Sequence, residues 1–85
     1  MSFALTEFQR AVLIALADAC QYTLNAHVPV QAVQRGFPTH LRGDAKDVLK
    51  KLARKRYCIK HPTRGSMTFQ LSQLGLDEAR RATRT

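Results

Sequence analysis

Hydrophobic side chains recur at helical spacing close to the start of the chain. The apolar positions are Phe8, Val12, Ala15, Leu16 and Ala19. Their spacing of i, i+4, i+7, i+8 and i+11 places them on one face of a helix. Thr6, with Gln9 three residues later, matches a capping box, in which each side chain bonds the backbone N–H of the other residue. The pattern predicts an amphipathic helix that begins after Thr6 and ends near Tyr22.

A shorter helix is predicted over residues 29–35. Pro29 suits the first helical position, because the N–H that proline lacks would have no partner there. Gly36 follows as the left-handed residue that commonly ends a helix. Val30 and Val33 are expected to face the core. Two apolar residues of the irregular connection that follows are expected to anchor it: Phe37 and Leu41.

The third helix is predicted over residues 44–56. Asp44 suits the N-cap, and Asp47 complements the helix dipole. The apolar positions at i, i+3, i+4 and i+7 are Ala45, Val48, Leu49 and Leu52. A separate row at i, i+4 and i+8 is cationic and consists of Lys46, Lys50 and Arg54. The same sequence also allows a start at Thr39, with Gly43 inside the helix, and the two alternatives stay open.

Beyond this helix the hydrophobic period falls from 3.6 to 2. Residues 57–61 and 67–71 are therefore predicted as two strands of a hairpin. The turn between them, residues 62–66, contains the proline and glycine that turns favour.

A last helix is predicted over residues 73–82. Ser72 can cap it, whereas Gly75 lowers its helix propensity. Its apolar contacts are assigned to Leu74, Leu76 and Ala79. Residues 82–85 are expected to fray.

The composition is that of one small folded domain. The chain has 85 residues, of which 45% are hydrophobic, enough for a single modest core. We expect one α+β domain, mostly helical, over residues 1–85, with its core at about 6–82. The longest apolar run has seven residues, too few to span a membrane. No basic segment precedes an apolar stretch at the N-terminus, so we expect no secretory signal and a cytoplasmic location.

Positive charge is concentrated in the middle of the chain. The 14 lysines and arginines exceed the 6 acids, for a net charge of +8. Residues 40–64 hold nine of these cations and two acids, and residues 48–64 hold no acid. Such a local positive field is typical of a protein that binds a polyanion, either nucleic acid or an anionic membrane surface. The alternative is a solvated helix face, but such faces usually mix both signs of charge.

Catalytic and metal-binding patterns are weak. Cys20 and Cys58 lie among apolar residues, as buried thiols do. Neither they nor the three histidines have the spacing of a zinc site. Cys58 and His61 would lie on opposite faces of a strand, which excludes a thiol–imidazole pair. Asp44 and Asp47 are explained by helix capping. We therefore expect no enzyme activity, no metal and no cofactor.

The order of helix, short helix, cationic helix, hairpin and helix resembles the winged helix-turn-helix family, in particular its compact archaeal and viral members. Residues 48–63 (VLKKLARKRYCIKHPT) are similar to the passage from recognition helix to wing. Residues 69–76 (FQLSQLGL) are similar to the second wing strand and closing helix. The resemblance implies three core helices, a two-stranded wing and a C-terminal helix. The chain departs from the family at Arg56, where glycine is usual, and in the longer connection over residues 36–43.

The resemblance implies a set of contacts with double-stranded DNA. The residues concerned are Thr39, His40, Arg42, Lys46, Lys50, Lys51, Arg54, Thr63, Arg64 and Ser66. In this arrangement the third helix enters the major groove, where Arg42 and Lys46 can pair with guanine O6 and N7. The cations expected to bind phosphate are Lys50, Lys51 and Arg54. The wing follows the adjacent backbone or minor groove, with Arg64 at its tip and Thr63 and Ser66 as phosphate donors.

The implied function is sequence-specific binding of double-stranded DNA by a transcriptional regulator, associated with the nucleoid if the source is a prokaryote. The alternative is a winged-helix adaptor that binds RNA or an acidic protein in a larger complex. Membrane binding is not expected, because large apolar residues are lacking beside the lysine row. Members of the family commonly form dimers through terminal helices, so a homodimer is a further alternative. The apolar residues available for it are Leu13, Ile14, Leu74 and Leu76.

Overall fold

The computed structural model describes residues 5–83, except for the side chain of Thr63. Over these residues the chain has an α+β fold of four α-helices, one 3-10 turn and a three-stranded antiparallel sheet. The helices are α1 (Glu7–Ala19), α2 (Val30–Gln34), α3 (Arg42–Arg54) and α4 (Gln73–Thr83). The strands are β1 (Val28–Pro29), β2 (Cys58–Thr63) and β3 (Ser66–Leu71), and the 3-10 turn is Thr39–Leu41.

The predicted capping box begins α1. The Gln9 N–H donates to Thr6 Oγ1 at 3.1 Å, and the Thr6 N–H donates to Gln9 Oε1 at 3.0 Å. The helix ends at Ala19, three residues before the predicted end. It ends there because Gln21 and Tyr22 both adopt a φ of 56°, a left-handed backbone that turns the chain out of the helix.

The segment before α2 contains a strand that the sequence did not predict. Val28–Pro29 pairs antiparallel with β3, so the sheet has three strands instead of the two of a simple hairpin. Pro29 consequently lies at the N-cap of α2 and not at its first helical position. Val30 and Val33 are buried, as predicted. Gly36 does not adopt a positive φ, so the prediction of a left-handed end was wrong; its N–H instead closes a tight turn on the Val33 carbonyl at 3.1 Å.

The start of α3 corrects the prediction that Asp44 is its N-cap. The 3-10 turn runs directly into the helix. The Arg42 N–H donates to the Thr39 carbonyl of this turn. The N-cap is Leu41, without a side-chain cap, and Asp44 lies in the first turn. The alternative with Gly43 inside the helix is therefore the closer one. The helix ends at Arg54, two residues before the predicted end.

The hairpin is tighter and longer than predicted. The strands are joined by Arg64 and Gly65 alone, because pairing continues to Thr63 opposite Ser66. Gly65 has a φ of 85°, which glycine adopts without steric cost. The order of the sheet is β1-β3-β2, which leaves β2 at an edge beside α3.

The core lies between the helices and one face of the sheet. Its largest fully buried side chains are Phe69, Leu13, Leu16, Leu49, Leu52 and Leu71. Leu76 and Ala79 of α4 are buried as predicted, whereas Leu74 is 48% exposed and does not pack inward. Leu13 and Leu76 therefore close the core of the single chain and are not surface residues. Ala82 and Thr83 remain helical rather than frayed; residues 84 and 85 lie outside the described part of the chain. Within residues 5–83 no helix is long and apolar enough to cross a membrane.

Candidate nucleic-acid interface

The two sides of α3 carry different side chains. Its buried stripe consists of Ala45, Leu49 and Leu52. At 100° per residue, Lys46, Lys50 and Arg54 follow one line along the helix beside that stripe. Lys51 lies one residue further round, on the side that also carries Asp44 and Asp47. Lys51, which was predicted to bind phosphate with Lys50 and Arg54, therefore lies on a different side of α3 from that row.

The first surface is an open groove between the C-terminal half of α3 and β2, with a volume of about 570 Å³. Its lining residues are Lys50, Ala53, Arg54, Arg56, Cys58, Ile59, Lys60 and Ser72. Four of these eight are cations and none is an acid, so positive charge is not offset within the groove. Ile59 is 44% exposed and supplies an apolar patch beside the charges. We call this surface the α3–β2 groove.

The second surface is a smaller cleft on the α1 side of α3, with a volume of about 300 Å³. Its lining residues are Phe8, Leu41, Asp44, Asp47, Val48 and Lys51. Here one cation faces a cleft with two carboxylates, so the local charge is not positive. We call this surface the α1–α3 cleft. Lys51 was predicted to bind phosphate together with Lys50, but the two residues line different surfaces.

Arg56 stands at the corner where α3 ends and β2 begins. Its φ is 69°, in the left-handed region that normally favours glycine and costs other residues about 1–2 kcal/mol. The Arg56 N–H donates to the Ala53 carbonyl at 3.0 Å, and the Tyr57 N–H donates to the Leu52 carbonyl at 2.9 Å. These two bonds define a Schellman motif with arginine at the position where glycine is usual.

The start of α4 holds this corner from the other side. Ser72 Oγ donates to the Arg56 carbonyl at 2.6 Å and accepts the Gly75 N–H at 3.1 Å, so one hydroxyl caps α4, as predicted, and anchors the corner. A Cβ on Gly75 would lie 1.8 Å from the Tyr57 carbonyl oxygen. Gly75 therefore permits the close approach of α4 to the corner.

The residues before α3 are held by local contacts. Phe37 packs edge to face against Phe8, with ring centroids 5.6 Å apart, as expected of a residue that anchors the loop. Arg42 Nε donates to the Phe37 carbonyl at 3.0 Å, so this side chain folds back over the loop. Thr39 and His40 are exposed on the 3-10 turn. These residues lie outside the lining of the α3–β2 groove.

The hairpin tip is a separate feature. Arg64 is exposed in the two-residue turn, while Ser66 begins β3 and is half-buried. Thr63 ends β2, and its side chain lies outside the described part of the structure. None of the three lines the α3–β2 groove.

The two cysteines are buried free thiols, as predicted. Burial raises the pKa of the Cys58 thiol to about 12, with a smaller contribution from nearby Cys20, whose own pKa burial also raises. His61 bonds Gln70 through Nε2 at 2.8 Å and stacks on His27 at a centroid distance of 4.5 Å. It does not bond the Cys58 thiol, whose sulfur donates to the Leu49 carbonyl.

Among the described residues, no cluster of three or more His, Cys, Asp or Glu side chains is placed to hold a metal ion. Neither buried thiol has a base beside it in these contacts, and both are held in the protonated form that is a poor nucleophile.

Two residues that line the α3–β2 groove, Arg56 and Lys60, are absent from the contacts predicted from the sequence. Their charge was visible, but the left-handed turn that carries Arg56 beside α3 was not. The usual glycine of the resembled family at this position was the one signal in the sequence that could have identified that turn.

No family model matches the chain, and no curated protein matches it either. The assignment of function therefore depends on the fold and the surface chemistry alone.

Proposed function

We propose that the protein is a winged-helix transcriptional regulator that binds double-stranded DNA sequence-specifically, with α3 in the major groove and the β2–β3 hairpin on the adjacent backbone or minor groove. The observation that carries the proposal is the α3–β2 groove, which gathers Lys50, Arg54, Arg56 and Lys60 without an acid among its lining residues. Lys46 extends the row of cations along α3 beyond the groove. Several cations on one surface supply the electrostatic part of DNA binding.

The architecture supports this proposal. An α-helix fits the major groove, which is about 12 Å wide. Lys46 and Arg54 are eight residue steps apart, or about 12 Å along the helix. α2 packs against α3, and the hairpin follows α3 directly, which is the element order that the resemblance implies.

The residues divide into two roles. Lys46, one turn into α3, is the strongest candidate for reading a base, with Thr39 and His40 nearby in sequence on the 3-10 turn. Arg42 Nε donates to the Phe37 carbonyl, so this bond would have to break or be shared before the side chain could pair with a base. Arg64 remains the proposed contact of the hairpin tip, with Thr63 and Ser66 beside it.

A binding titration over a range of salt concentrations tests the proposal. Five cations are assigned to phosphate: Lys50, Arg54, Arg56, Lys60 and Arg64. With about 0.9 per phosphate contact, log K should fall with log salt at a slope of about −4.5. Duplex DNA should bind more tightly than structured RNA or an acidic protein at equal charge.

Selection of bound sequences from a random duplex pool then tests specificity. Enrichment of one motif supports sequence-specific recognition, and a palindromic motif would indicate a dimer with half-sites about one helical turn apart. Tighter binding of structured RNA, or of the acidic protein, would overturn the proposal in favour of the adaptor function. A selected pool without a motif would overturn its sequence-specific part.

A further inference from the structure

We infer that the α3–β2 groove is the binding site for one phosphodiester strand of the duplex, with Arg56 and Lys60 as phosphate-binding residues, and that the α1–α3 cleft makes no DNA contact. The inference depends on the proposed function and refines it. The DNA phosphates are thereby assigned to one side of α3 and not to the whole helix.

The charge of the two surfaces carries the first step. The groove gathers Lys50, Arg54, Arg56 and Lys60 without a carboxylate. A phosphodiester strand brings one negative charge per nucleotide and releases bound counterions for each phosphate that a cation neutralises. Lys51 shares its cleft with Asp44 and Asp47, so a phosphate approaching it would also meet two like charges.

The backbone at Arg56 carries the second step. A left-handed arginine is sterically costly, and residues held in such conformations cluster at ligand sites. This one is fixed by its own N–H bond, by the adjacent bond of Tyr57 and by the Ser72 hydroxyl on its carbonyl. The side chain nevertheless stays exposed, because the bonds hold only the backbone. Its guanidinium thus starts from a rigid point beside the groove, and its planar donors suit a phosphate.

An exposed apolar residue of the groove lining supplies the third argument. Ile59 is 44% exposed, one of two large hydrophobic residues exposed in the described part of the chain, and it lines the groove together with the four cations. A phosphodiester strand presents apolar deoxyribose carbons between its phosphates. The groove therefore matches both parts of the strand, whereas free phosphate would use only the cations.

Five single variants test the inference in the full chain with a 20-base-pair duplex carrying the selected motif. Arg56→Gly and Lys60→Gln should each reduce the salt slope by about 0.9, and binding at 0.1 M salt should weaken about eightfold if binding at 1 M is unchanged. Arg56→Lys should keep the slope, because it keeps the charge. Lys51→Gln should leave the slope unchanged. Arg80→Gln, an exposed cation of α4, controls for the loss of net charge alone.

Arg56→Gly also separates binding from folding. Glycine adopts the observed φ more readily, so its thermal midpoint should be equal to or above that of the original chain, while its DNA binding falls. Equal slopes for Arg56→Gly, Lys60→Gln and the original chain would overturn the inference. So would a loss in Lys51→Gln as large as that in Lys60→Gln. Failure of the original chain to bind duplex DNA would instead overturn the proposed function, so the two failures are distinguishable.

Discussion

The two sides of α3 come from the same thirteen residues, yet they differ in charge and in construction. Lys50 and Lys51 are neighbours in sequence and about 100° apart around the helix. Lys50 lines a groove with three other cations, whereas Lys51 lines a cleft with two carboxylates. A count of charges along a helix therefore does not define an interface. The charge of each side also depends on the side chains that the neighbouring elements place there.

The neighbours also differ in kind. On the groove side, β2 and the start of α4 supply Lys60 and Ser72 and hold Arg56 at the corner. On the cleft side, α1 supplies Phe8, which contacts the aromatic ring of Phe37. On the groove side a hydrogen bond holds the backbone beside exposed cations, whereas on the cleft side α1 contributes an aromatic packing contact.

The largest effect is expected from Gly75→Ala. The new Cβ would meet the Tyr57 carbonyl oxygen at 1.8 Å, so α4 must move away from the corner. Such overpacking costs about 1–3 kcal/mol, and a clash with backbone places this case at about 3 kcal/mol. Urea unfolding followed by circular dichroism measures the loss.

Gly43→Ala is the matched control, because a Cβ there meets nothing within 4 Å. It should stabilise α3 by about 0.5–1 kcal/mol, since alanine restricts the unfolded chain more than glycine does. Equal stability of the two variants would show that α4 does not depend on a close approach at the corner.

The next effect is expected at alkaline pH and concerns the thiol beneath the groove. The Cys58 thiol titrates at about 12 when folded and near 9.0 in its ordinary state, so the folded protein holds this proton more tightly. Stability from this group is therefore complete below pH 9 and is lost as pH rises towards 12, by up to about 1.4 kcal/mol per pH unit. Cys20 and Tyr22, whose pKa values are also raised, act in the same direction.

Urea unfolding at several pH values between 8 and 11 measures this dependence. Cys58→Ala removes the contribution of this thiol, so its stability should fall less steeply above pH 9 than that of the original chain. Identical slopes in the two proteins would contradict the assignment to Cys58.

The smallest effect is expected from Ser72→Ala, compared with Thr6→Ala. Both remove a helix cap, of α4 and α1 respectively, and each should cost about 1 kcal/mol of stability. Only Ser72 also anchors the Arg56 carbonyl, so only its loss should weaken DNA binding, by less than Arg56→Gly does. Thermal melts and the salt titration together measure the two effects. Equal DNA affinity in the two variants would show that the Ser72 bond to the Arg56 carbonyl does not contribute to DNA binding.

The element order and most of the core followed from local patterns. The capping box at Thr6, the buried Val30 and Val33 and the cap at Ser72 depend on residues within one turn of each other. Strand β1 was missed because two residues are too few to show a period of 2. The residues opposite it in the sheet, Phe69 and Thr68, are about forty residues away in the chain. Leu74 was wrongly predicted to pack inward. Helical spacing shows which apolar residues share a face but not whether a neighbouring element covers each of them.

Hydrophobic periodicity and charge can be read along the chain, so they predict one small α+β core and a concentration of cations from the third helix onward. Which cations share a surface depends on how the helices and strands pack. Lys60 reaches the side of α3 through an edge strand, and Arg56 reaches it through a left-handed turn that α4 holds in place. Lys51 follows Lys50 in the sequence but lies about 100° further round α3. The two lysines line different surfaces because β2 packs on one side of α3 and α1 on the other.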